Sequence, residues 1–489
     1  MKSLIIFVIL ISTIYCSGQS LSDNTTISRP THQIVKKIEK INILMGSAVY
    51  YEGMRPAQYD HFARLRKTAT QKELIALTSY PNGVVRCYAF WALSYHSSAK
   101  FFPILLAHIT DTTSVRTQFG CIGGSEKVGD FFIHLVTPDY IDMDAKKLTQ
   151  AEYDYLDSVL IYQPNNLYAK NNAIGRARLD ETLYKRLREL VLGENNQPAL
   201  ILLAKFKQQQ DIQLILDSRL HGDRYNPLFF TYRAISEFPD SAFLPLLTKS
   251  LHEVVGEKSY SSEINELYKA IASFKNDTAL QLLKWPFTHI KHENIKTSHM
   301  DFILGALQTF YIPAYNELLW QLWENEKKIN AEVFNILYRN DSEKAFRLTK
   351  MTLENAANFF YPNYQSYDAE EVTTNILNIM LDTVITRDKP YAIVLINKNL
   401  KEADVHQFPI FAHKAFTVRD TSFIKILFGR LRIEENPHTY LKATEFLVAL
   451  KDKEINRQIS GVIKFNPELK KGWGGEAFTK LLKENGIRK

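Results

Sequence analysis

Cysteine is scarce in this chain of 489 residues, which contains only three. Cys16 lies in the N-terminal apolar segment, so a processed chain would keep only Cys87 and Cys121. Two cysteines do not make the disulfide framework of a small secreted domain, and the absence of Cys-x-x-Cys excludes the common zinc and redox motifs. We expect both to be buried apolar side chains on helices, although an oxidising compartment would allow a bridge between them.

Motifs of the common enzyme classes are also absent. The sequence has no His-Glu-x-x-His, Gly-x-Ser-x-Gly or EF-hand loop. Ser97-Ser98-Ala99-Lys100 matches Ser-x-x-Lys but lacks the accompanying Lys-Thr-Gly, and we interpret it as a turn. Acidic residues are plentiful, but sequence alone does not pair two carboxylates as acid and base. We predict no catalytic residue and no cofactor.

Dense charge and long apolar runs are missing as well. The formal net charge is +7, and it is spread along the chain without a basic run interleaved with aromatics. Nucleic acid is therefore not an expected partner. Beyond the N-terminal segment, no apolar run approaches the length of about 20 residues that a transmembrane helix needs. We expect no transmembrane segment in the mature chain.

Two glycine-rich stretches are candidate anion sites. Gly120-Cys121-Ile122-Gly123-Gly124 follows a predicted helix, whereas a phosphate-binding loop needs a strand, a loop and a helix. We expect these glycines to end the helix. Lys470-Lys471-Gly472-Trp473-Gly474-Gly475 precedes a helix that could hold an anion at its N-terminus, but it lacks Gly-Lys-Ser/Thr. We interpret it as a terminal loop.

A zinc site would need three or four converging ligands. The candidate ligands are His289, His292, Glu293 and His299 in one stretch, and His406 and His413 in another. The first group could share one helical face, but His-x-x-His alone is a weak signal, and Pro409 disturbs the register of the second pair. We expect solvated polar faces and predict no metal site.

The first residues have the pattern of an export signal. Lys2 supplies the charged region, Leu4 to Tyr15 the apolar region, and Ser17-Gly18 the small residues for cleavage. Lipidation of Cys16 fits poorly, because the bulky Tyr15 stands where a lipobox has a small residue. We therefore predict a signal peptide over residues 1–18, and a mature chain that is periplasmic or secreted.

The stretch from Thr70 to Gly124 carries the clearest structural pattern. Thr70-Gln71-Lys72-Glu73 is a capping box, which predicts a helix start, and Pro81-Asn82-Gly83 predicts the break after that helix. The apolar run from Val84 to Leu93 then predicts a second helix that is buried on several sides.

A Val-Arg pair recurs at the start of the next predicted helix. Val115-Arg116, preceded by Asp111, follows Val85-Arg86 at a distance of 30 residues. Helix pairs of this kind resemble the HEAT-repeat family, and the short spacing resembles the short HEAT-like repeats of bilin lyases. The resemblance implies a superhelical stack of helices. We expect Arg86 and Arg116 to be structural and to brace adjacent repeats.

The remaining chain repeats an apolar helix, a short polar break and a second apolar helix. Helical spacing also covers Ile34 to Met45, and no stretch alternates for long enough to predict a sheet. We predict an all-α fold, a HEAT-like α-solenoid of stacked antiparallel helix pairs. The predicted organisation is a signal peptide (1–18), a flexible lead-in (19–30), N-terminal helices with the clearest repeats (31–138) and a divergent helical-repeat solenoid (139–489).

One surface candidate remains, the aromatic break from Phe359 to Tyr367. Tyr361, Tyr364 and Tyr367 would be good binding anchors if exposed, because tyrosine offers a large contact area at low entropy cost. The alternative is that these aromatic side chains fold back onto the helices.

Three functional hypotheses follow. The first is an exported, non-enzymatic scaffold that binds a protein or an extended envelope ligand, because a curved helical stack offers a long groove. The second is an envelope hydrolase that acts on polysaccharide or peptide with residues on the concave face. The third is a structural spacer. We favour the scaffold.

Overall fold

The computed structural model describes residues 27–96, 99–137, 144–218, 226–257, 259, 261–354 and 376–487. The predicted signal peptide lies outside these ranges, as do Tyr361, Tyr364 and Tyr367. Within them, no helix is both long enough and apolar enough to cross a membrane. The chain divides into two compact units, Met1–Phe206 and Lys207–Lys489, which are described separately.

Most of the described residues in the first unit are helical. Its helices are α1 (Arg29–Ile41), α2 (Ala57–Thr68), α3 (Gln71–Leu77), α4 (Gly83–Ser94), α5 (Phe102–Ala107), α6 (Val128–Val136), α7 (Gln150–Tyr162), α8 (Ala169–Arg176), α9 (Glu181–Glu194) and α10 (Gln197–Ala204). Helix α1 begins inside the predicted lead-in, with Pro30 in its first turn, where the missing N–H costs little.

The predicted helix start and break near the beginning of this unit are confirmed. The Thr70 side chain accepts a hydrogen bond from the Glu73 N–H (3.3 Å), and the Glu73 carboxylate accepts one from the Thr70 N–H (2.8 Å). The same carboxylate accepts a bond from the Ser28 N–H, which joins the start of α1 to α3. Asn82 caps α4 by accepting from the Val85 N–H (3.1 Å).

Helix α4 is buried along its whole length, as its apolar sequence predicted. Its aromatic rings stack on neighbours from two other helices. Phe90 lies 4.0 Å from Phe132 of α6, and Trp91 lies 4.6 Å from Phe62 of α2, measured between ring centroids. Such ring pairs add specific geometry to the apolar burial, so α4 forms the centre of this unit.

The expectation that no sheet forms is wrong for this unit. Strands β1 (Leu44–Val49), β2 (Ser114–Gly120) and β3 (Ile122–Lys127) form one sheet, with β1 parallel and β3 antiparallel to β2. The predicted second Val-Arg helix is therefore a strand, and α1 ends at Ile41 rather than continuing to Met45. The β1–β2 pairing joins residues about 70 positions apart, such as Leu44 and Thr117, which no local pattern specifies.

In the described part of the second unit, the secondary structure is helical. Its α-helices are α11 (Ile212–Asp217), α12 (Phe229–Glu237), α13 (Leu244–Val254), α14 (Ser262–Ala272), α15 (Asp277–His289), α16 (Glu293–Thr309), α17 (Asn316–Glu324), α18 (Ala331–Asn340), α19 (Ser342–Glu354), α20 (Ile376–Arg387), α21 (Lys389–Glu402), α22 (Phe408–Val418), α23 (Ser422–Leu431), α24 (Pro437–Ala449), α25 (Lys453–Val462) and α26 (Gly472–Glu484). Short 3-10 turns precede α11, α13, α17 and α26.

Helices two positions apart in the chain pack side by side in this unit. Helices α12, α14 and α16 form one such row, and α20, α22, α24 and α26 form another. Helices α21, α23 and α25 form a third row. Most helices of this unit also contact the next helix along the chain, because the connections between them are short.

Two buried aromatic side chains of the second unit bond to groups on other helices. The Tyr315 hydroxyl donates to the Ala272 carbonyl (2.8 Å), and the Trp323 indole N–H donates to the Thr352 hydroxyl (2.9 Å). Burying tyrosine and tryptophan without such bonds would cost free energy, so these contacts also fix which helices are neighbours.

We predict that Glu73→Gln lowers the free energy of unfolding at pH 7 by about 1 to 2 kcal/mol, because a capping-box carboxylate is lost. Burial opposes ionisation of Glu73, but the hydrogen bonds from Ser28 and Thr70 outweigh it and lower its pKa from 4.5 to about 2. A depressed folded-state pKa stabilises the fold above pH 4.5, and this contribution is lost as the pH falls towards 2.

Urea denaturation at pH 7 and at pH 3 measures this difference. The gap between the wild type and Glu73→Gln should shrink at pH 3. Lys72→Gln, a change at the exposed neighbouring residue, serves as the control and should leave both midpoints unchanged. A gap of equal size at both pH values would contradict the assigned role of the carboxylate.

Candidate functional site: the sheet tip of the first unit

Two loops meet where β1 and β2 end. Val49 is the last residue of β1 and pairs with Gly120, the last residue of β2. The Tyr50 N–H donates to the Gly120 carbonyl at 2.8 Å. Because the two strands run parallel, the loop after β1 lies beside the turn that joins β2 to β3.

The loop after β1 closes on itself through backbone hydrogen bonds. The Val49 N–H donates to the Met54 carbonyl (2.9 Å), and the Gly53 N–H donates to the Tyr50 carbonyl (3.2 Å). Tyr50 has a φ of 62° and Gly53 a φ of 64°. A left-handed conformation is unusual for an aromatic residue and is retained only where its surroundings hold it, often at functional positions.

The second loop is a two-residue hairpin turn. Phe119 pairs with Ile122, which leaves Gly120 and Cys121 as the turn. Gly120 has a φ of 56°, and the first central position of a type II′ turn requires a positive φ and favours glycine.

Four large apolar side chains extend into solvent from these loops: Tyr50, Tyr51, Met54 and Ile122, which we call the sheet tip. Tyr51 is 97% exposed and Ile122 is 75% exposed, while Tyr50 and Met54 are about half exposed. Single exposed apolar residues are ordinary, but a group of four on adjacent turns is typical of a binding surface.

Buried contacts hold this sheet on helix α4. The Met45 N–H donates to the Tyr88 hydroxyl (2.7 Å), which itself donates to the Met45 carbonyl (3.0 Å). Burial strongly raises the pKa of Tyr88, so the hydroxyl keeps its proton. Gly46 allows close packing of β1 on β2, because an added Cβ would lie 3.0 Å from the Phe119 ring.

An ion pair ties α4 to the loop before β2. The Arg86 guanidinium binds both carboxylate oxygens of Asp111, at 2.9 and 3.1 Å, and donates to the carbonyls of Tyr80 and Pro81. Burial opposes ionisation of Asp111, but hydrogen bonds from Thr113 and the charge of Arg86 outweigh it and lower its pKa. The structural role predicted for Arg86 is confirmed, whereas Arg116 lies exposed on β2 instead of starting a helix.

A second pair ties β3 to α6. His134 of α6 forms a close hydrogen bond with Glu126 of β3, and this bond raises the pKa of His134 against the opposing effect of burial. One turn earlier on α6, buried Asp130 accepts hydrogen bonds from the N–H groups of Tyr168 and Ala169 at the start of α8. Glu126 and Asp130 therefore serve to position helices and strands.

The two cysteines lie in different environments, and both are free thiols. Cys87 is buried in α4, as expected, and burial raises the pKa of its thiol. The expectation for Cys121 is wrong: it is exposed at the hairpin turn rather than buried on a helix.

The glycine-rich stretches differ from their predicted roles. Gly120 to Gly124 form the hairpin turn and the start of β3, not the end of a helix. Gly472 to Gly475 lie in the first turn of α26, not in a terminal loop. In the Ser-x-x-Lys stretch, Ser97 and Ser98 lie outside the described residues.

The histidine candidates do not share a helical face. His289 ends α15, and His292 precedes the first residue of α16. His299 is buried rather than solvated, and its Nδ1 lies 2.6 Å from the Tyr268 hydroxyl. Burial lowers the pKa of His299 to about 4, so it stays neutral. Across the described ranges, no three histidine, cysteine or acidic side chains converge as metal ligands.

The sequence contains strand and turn signals for the sheet tip, although the prediction places helices there. Val115, Thr117 and Phe119 alternate in the strand pattern, and Gly120-Cys121 matches a two-residue hairpin with glycine first. The loop after β1 contains Gly53 as a turn signal. Nothing local, however, indicates that these two loops meet.

No protein-family model, curated protein or solved structure matches this chain. The function therefore has to be inferred from the geometry of the molecule itself.

We predict that Tyr88→Phe destabilises the fold by about 1 to 3 kcal/mol, because the buried N–H and carbonyl of Met45 lose their common partner. Chemical denaturation measures this loss. The same change at Tyr59, which belongs to the same aromatic cluster and whose hydroxyl bonds to no described residue, is the control. Equal effects of the two variants would show that the Tyr88 hydroxyl does not anchor β1.

Proposed function

We propose that this chain is an exported helical-repeat protein that binds another protein through the sheet tip. In a stack of helix pairs, every second helix lies beside the next one of its row. The rows of helices in the second unit have this arrangement, which supports the proposal of an α-solenoid similar to HEAT-repeat proteins. Export rests on the signal pattern of residues 1–18.

The exposure of the sheet tip carries the proposal of protein binding. Tyr51 and Ile122 are largely exposed to solvent, yet the loops that carry them are held by backbone hydrogen bonds and by the anchored strand β1. Aromatic and aliphatic anchors on rigid backbone bind at low entropic cost, and tyrosine is enriched among the residues that dominate binding energy.

Three carboxylates at the opposite end of the β2–β3 hairpin hold the fold, and the loop after β1 carries a single carboxylate, the exposed Glu52. Asp111 is engaged by Arg86, Glu126 by His134, and Asp130 by the start of α8. A general acid and base need carboxyl groups that face a substrate, whereas these three are occupied in holding the fold.

The test is cross-linking of the tagged chain in intact cells of its native host, followed by identification of what co-purifies. We expect Tyr51→Ser with Ile122→Ser to lower partner recovery at least about 30-fold, as loss of a binding hot spot worth about 2 kcal/mol does. Leu192→Ser, at an exposed leucine of α9 in the same unit, is the matched control and should leave recovery unchanged.

Other outcomes separate the alternatives. Recovery of glycan or peptide fragments without a stable protein partner would favour the hydrolase. Equal recovery with the tip variant and the control would contradict the sheet tip as the binding surface. A variant with serine at Tyr361, Tyr364 and Tyr367, tested in parallel, examines the aromatic stretch that the sequence singled out.

A further inference from the structure

Three exposed apolar side chains lie on the turns around the last three helices. Ile433 follows α23 and is 77% exposed, Phe465 follows α25 and is 67% exposed, and Trp473 is the second residue of α26 and is 56% exposed. We call these three residues the C-terminal patch. They belong to the second unit and are separate in the chain from the sheet tip.

Buried polar contacts join the turns that carry the patch. The Asn466 side-chain amide donates to the carbonyls of Leu431 and Glu434, both at 2.8 Å, so the turn after α25 is fixed to the turn after α23. The Arg432 guanidinium lies 5.6 Å from the centre of the Phe465 ring. Ile433 and Phe465 are therefore held at one end of the helical rows.

Trp473 is held at the same end by close packing of two glycines. A Cβ added to Gly474 would lie 2.6 Å from Pro437 at the start of α24, and one added to Gly475 would lie 2.7 Å from the Lys470 carbonyl oxygen. Because only glycine permits this approach, the first turn of α26 is pressed against α24. The Trp473 ring lies 5.1 Å from the His438 ring on that helix.

Basic side chains lie near each patch residue in the chain, and the exposed carboxylate of Glu435 lies near Ile433. Arg432, Lys464, Lys470 and Lys483 are exposed, and none forms an ion pair with another described residue. Lys480 follows Trp473 by seven residues, which places both on one face of α26. Lys470, Lys480 and Lys483 line a shallow basin on that helix, together with one carboxylate, Glu476.

This combination fits a lipid surface better than a protein. Lysine is depleted in protein–protein interfaces, whereas lysine and arginine next to a membrane extend their charged ends to lipid phosphates while their alkyl stems lie on apolar groups. Tryptophan and other large apolar side chains are favoured at the boundary between headgroups and acyl chains.

We propose that the C-terminal patch docks this protein on the surface of an anionic phospholipid membrane. Ile433, Phe465 and Trp473 enter the headgroup boundary, and the nearby lysines and Arg432 bind lipid phosphates. The contact is peripheral and reversible, because it uses side chains on turns rather than a spanning helix. It goes beyond protein binding at the sheet tip and does not depend on it.

The experiment is flotation of the purified chain with vesicles of phosphatidylcholine alone and with vesicles that contain phosphatidylglycerol. We expect binding only to the anionic vesicles, and weaker binding as salt rises from about 0.05 to about 0.5 M. Trp473→Ala should weaken binding about 10-fold or more. Lys464→Gln with Lys470→Gln should weaken it about 30-fold, because each basic residue near an anionic surface contributes about 5-fold.

Matched controls separate the patch from the rest of the chain. Val394→Ser changes a similarly exposed apolar residue of α21, and Lys249→Gln changes an exposed lysine of α13; both should bind as the wild type does. Any contribution of the N-terminal apolar segment is common to all variants. The two lysine changes leave the buried core untouched, so they test the proposal even if Trp473→Ala folds poorly.

Several results would overturn the proposal. One is no flotation with anionic vesicles, and another is equal flotation of the wild type and the lysine variant. Sedimentation velocity tests whether the patch instead binds a second copy of this chain. If the wild type is a dimer that does not bind vesicles, and Trp473→Ala abolishes the dimer, the patch is an interface between two copies. Partner recovery through the sheet tip is measured separately, so failure of either idea does not decide the other.

Discussion

The hydroxyl of Tyr88 bonds to both backbone groups of Met45, and the arrangement of the first unit depends on this contact. A strand on the edge of a sheet presents N–H and carbonyl groups that need partners when they are buried. Helix α4 supplies those partners from its own buried face. With β1 held in this way, its far end lies beside the β2–β3 turn, and the two exposed loops become one surface.

Asparagine side chains perform a related task at helix ends in both units. Asn82, Asn196 and Asn330 each cap the helix that follows and also donate to a side chain at an earlier helix, namely Asn42, Asn171 and Gln308. The amide oxygen thus accepts from an unpaired backbone N–H at a helix N-terminus, while the amide nitrogen bonds to a side chain at another helix. The contact recurs between helices that are not consecutive in the chain: α1 and α4, α8 and α10, and α16 and α18.

The sheet tip and the C-terminal patch are constructed in the same way. In each, large apolar side chains stand on turns whose backbone is fixed from below, by Tyr88 and the β1–β2 pairing in one case and by Asn466 and Gly474 in the other. A rigid base reduces the entropy lost on binding, which is why exposed apolar groups on fixed turns are effective anchors. Their surroundings differ, because three lysines line a basin on α26 beside the patch, and this charge is why we propose a membrane surface there and a protein partner at the sheet tip.

Local features of the fold were predictable and several were confirmed. The capping box at Thr70 and Glu73, the break at Asn82 and the burial of α4 all depend on residues within a few positions of one another. The structural role of Arg86 was also predictable, since a buried arginine needs carbonyls or a carboxylate. The sheet is not predictable locally, because glycine near Cys121 also fits a helix end and the strand pattern from Val115 to Phe119 is only one short alternation.

The sequence by itself determined the helical character of the chain, its helix starts and the aromatic and apolar groups available for burial. Hydrogen bonds between residues three or four positions apart produce those features, so they can be read locally. Only the tertiary structure decided that β1 pairs with β2, that Tyr51 and Ile122 face solvent together, and that Trp473 lies among lysines. These juxtapositions join residues that are far apart in the chain, and the free energy that selects them comes from packing and pairing across the whole unit.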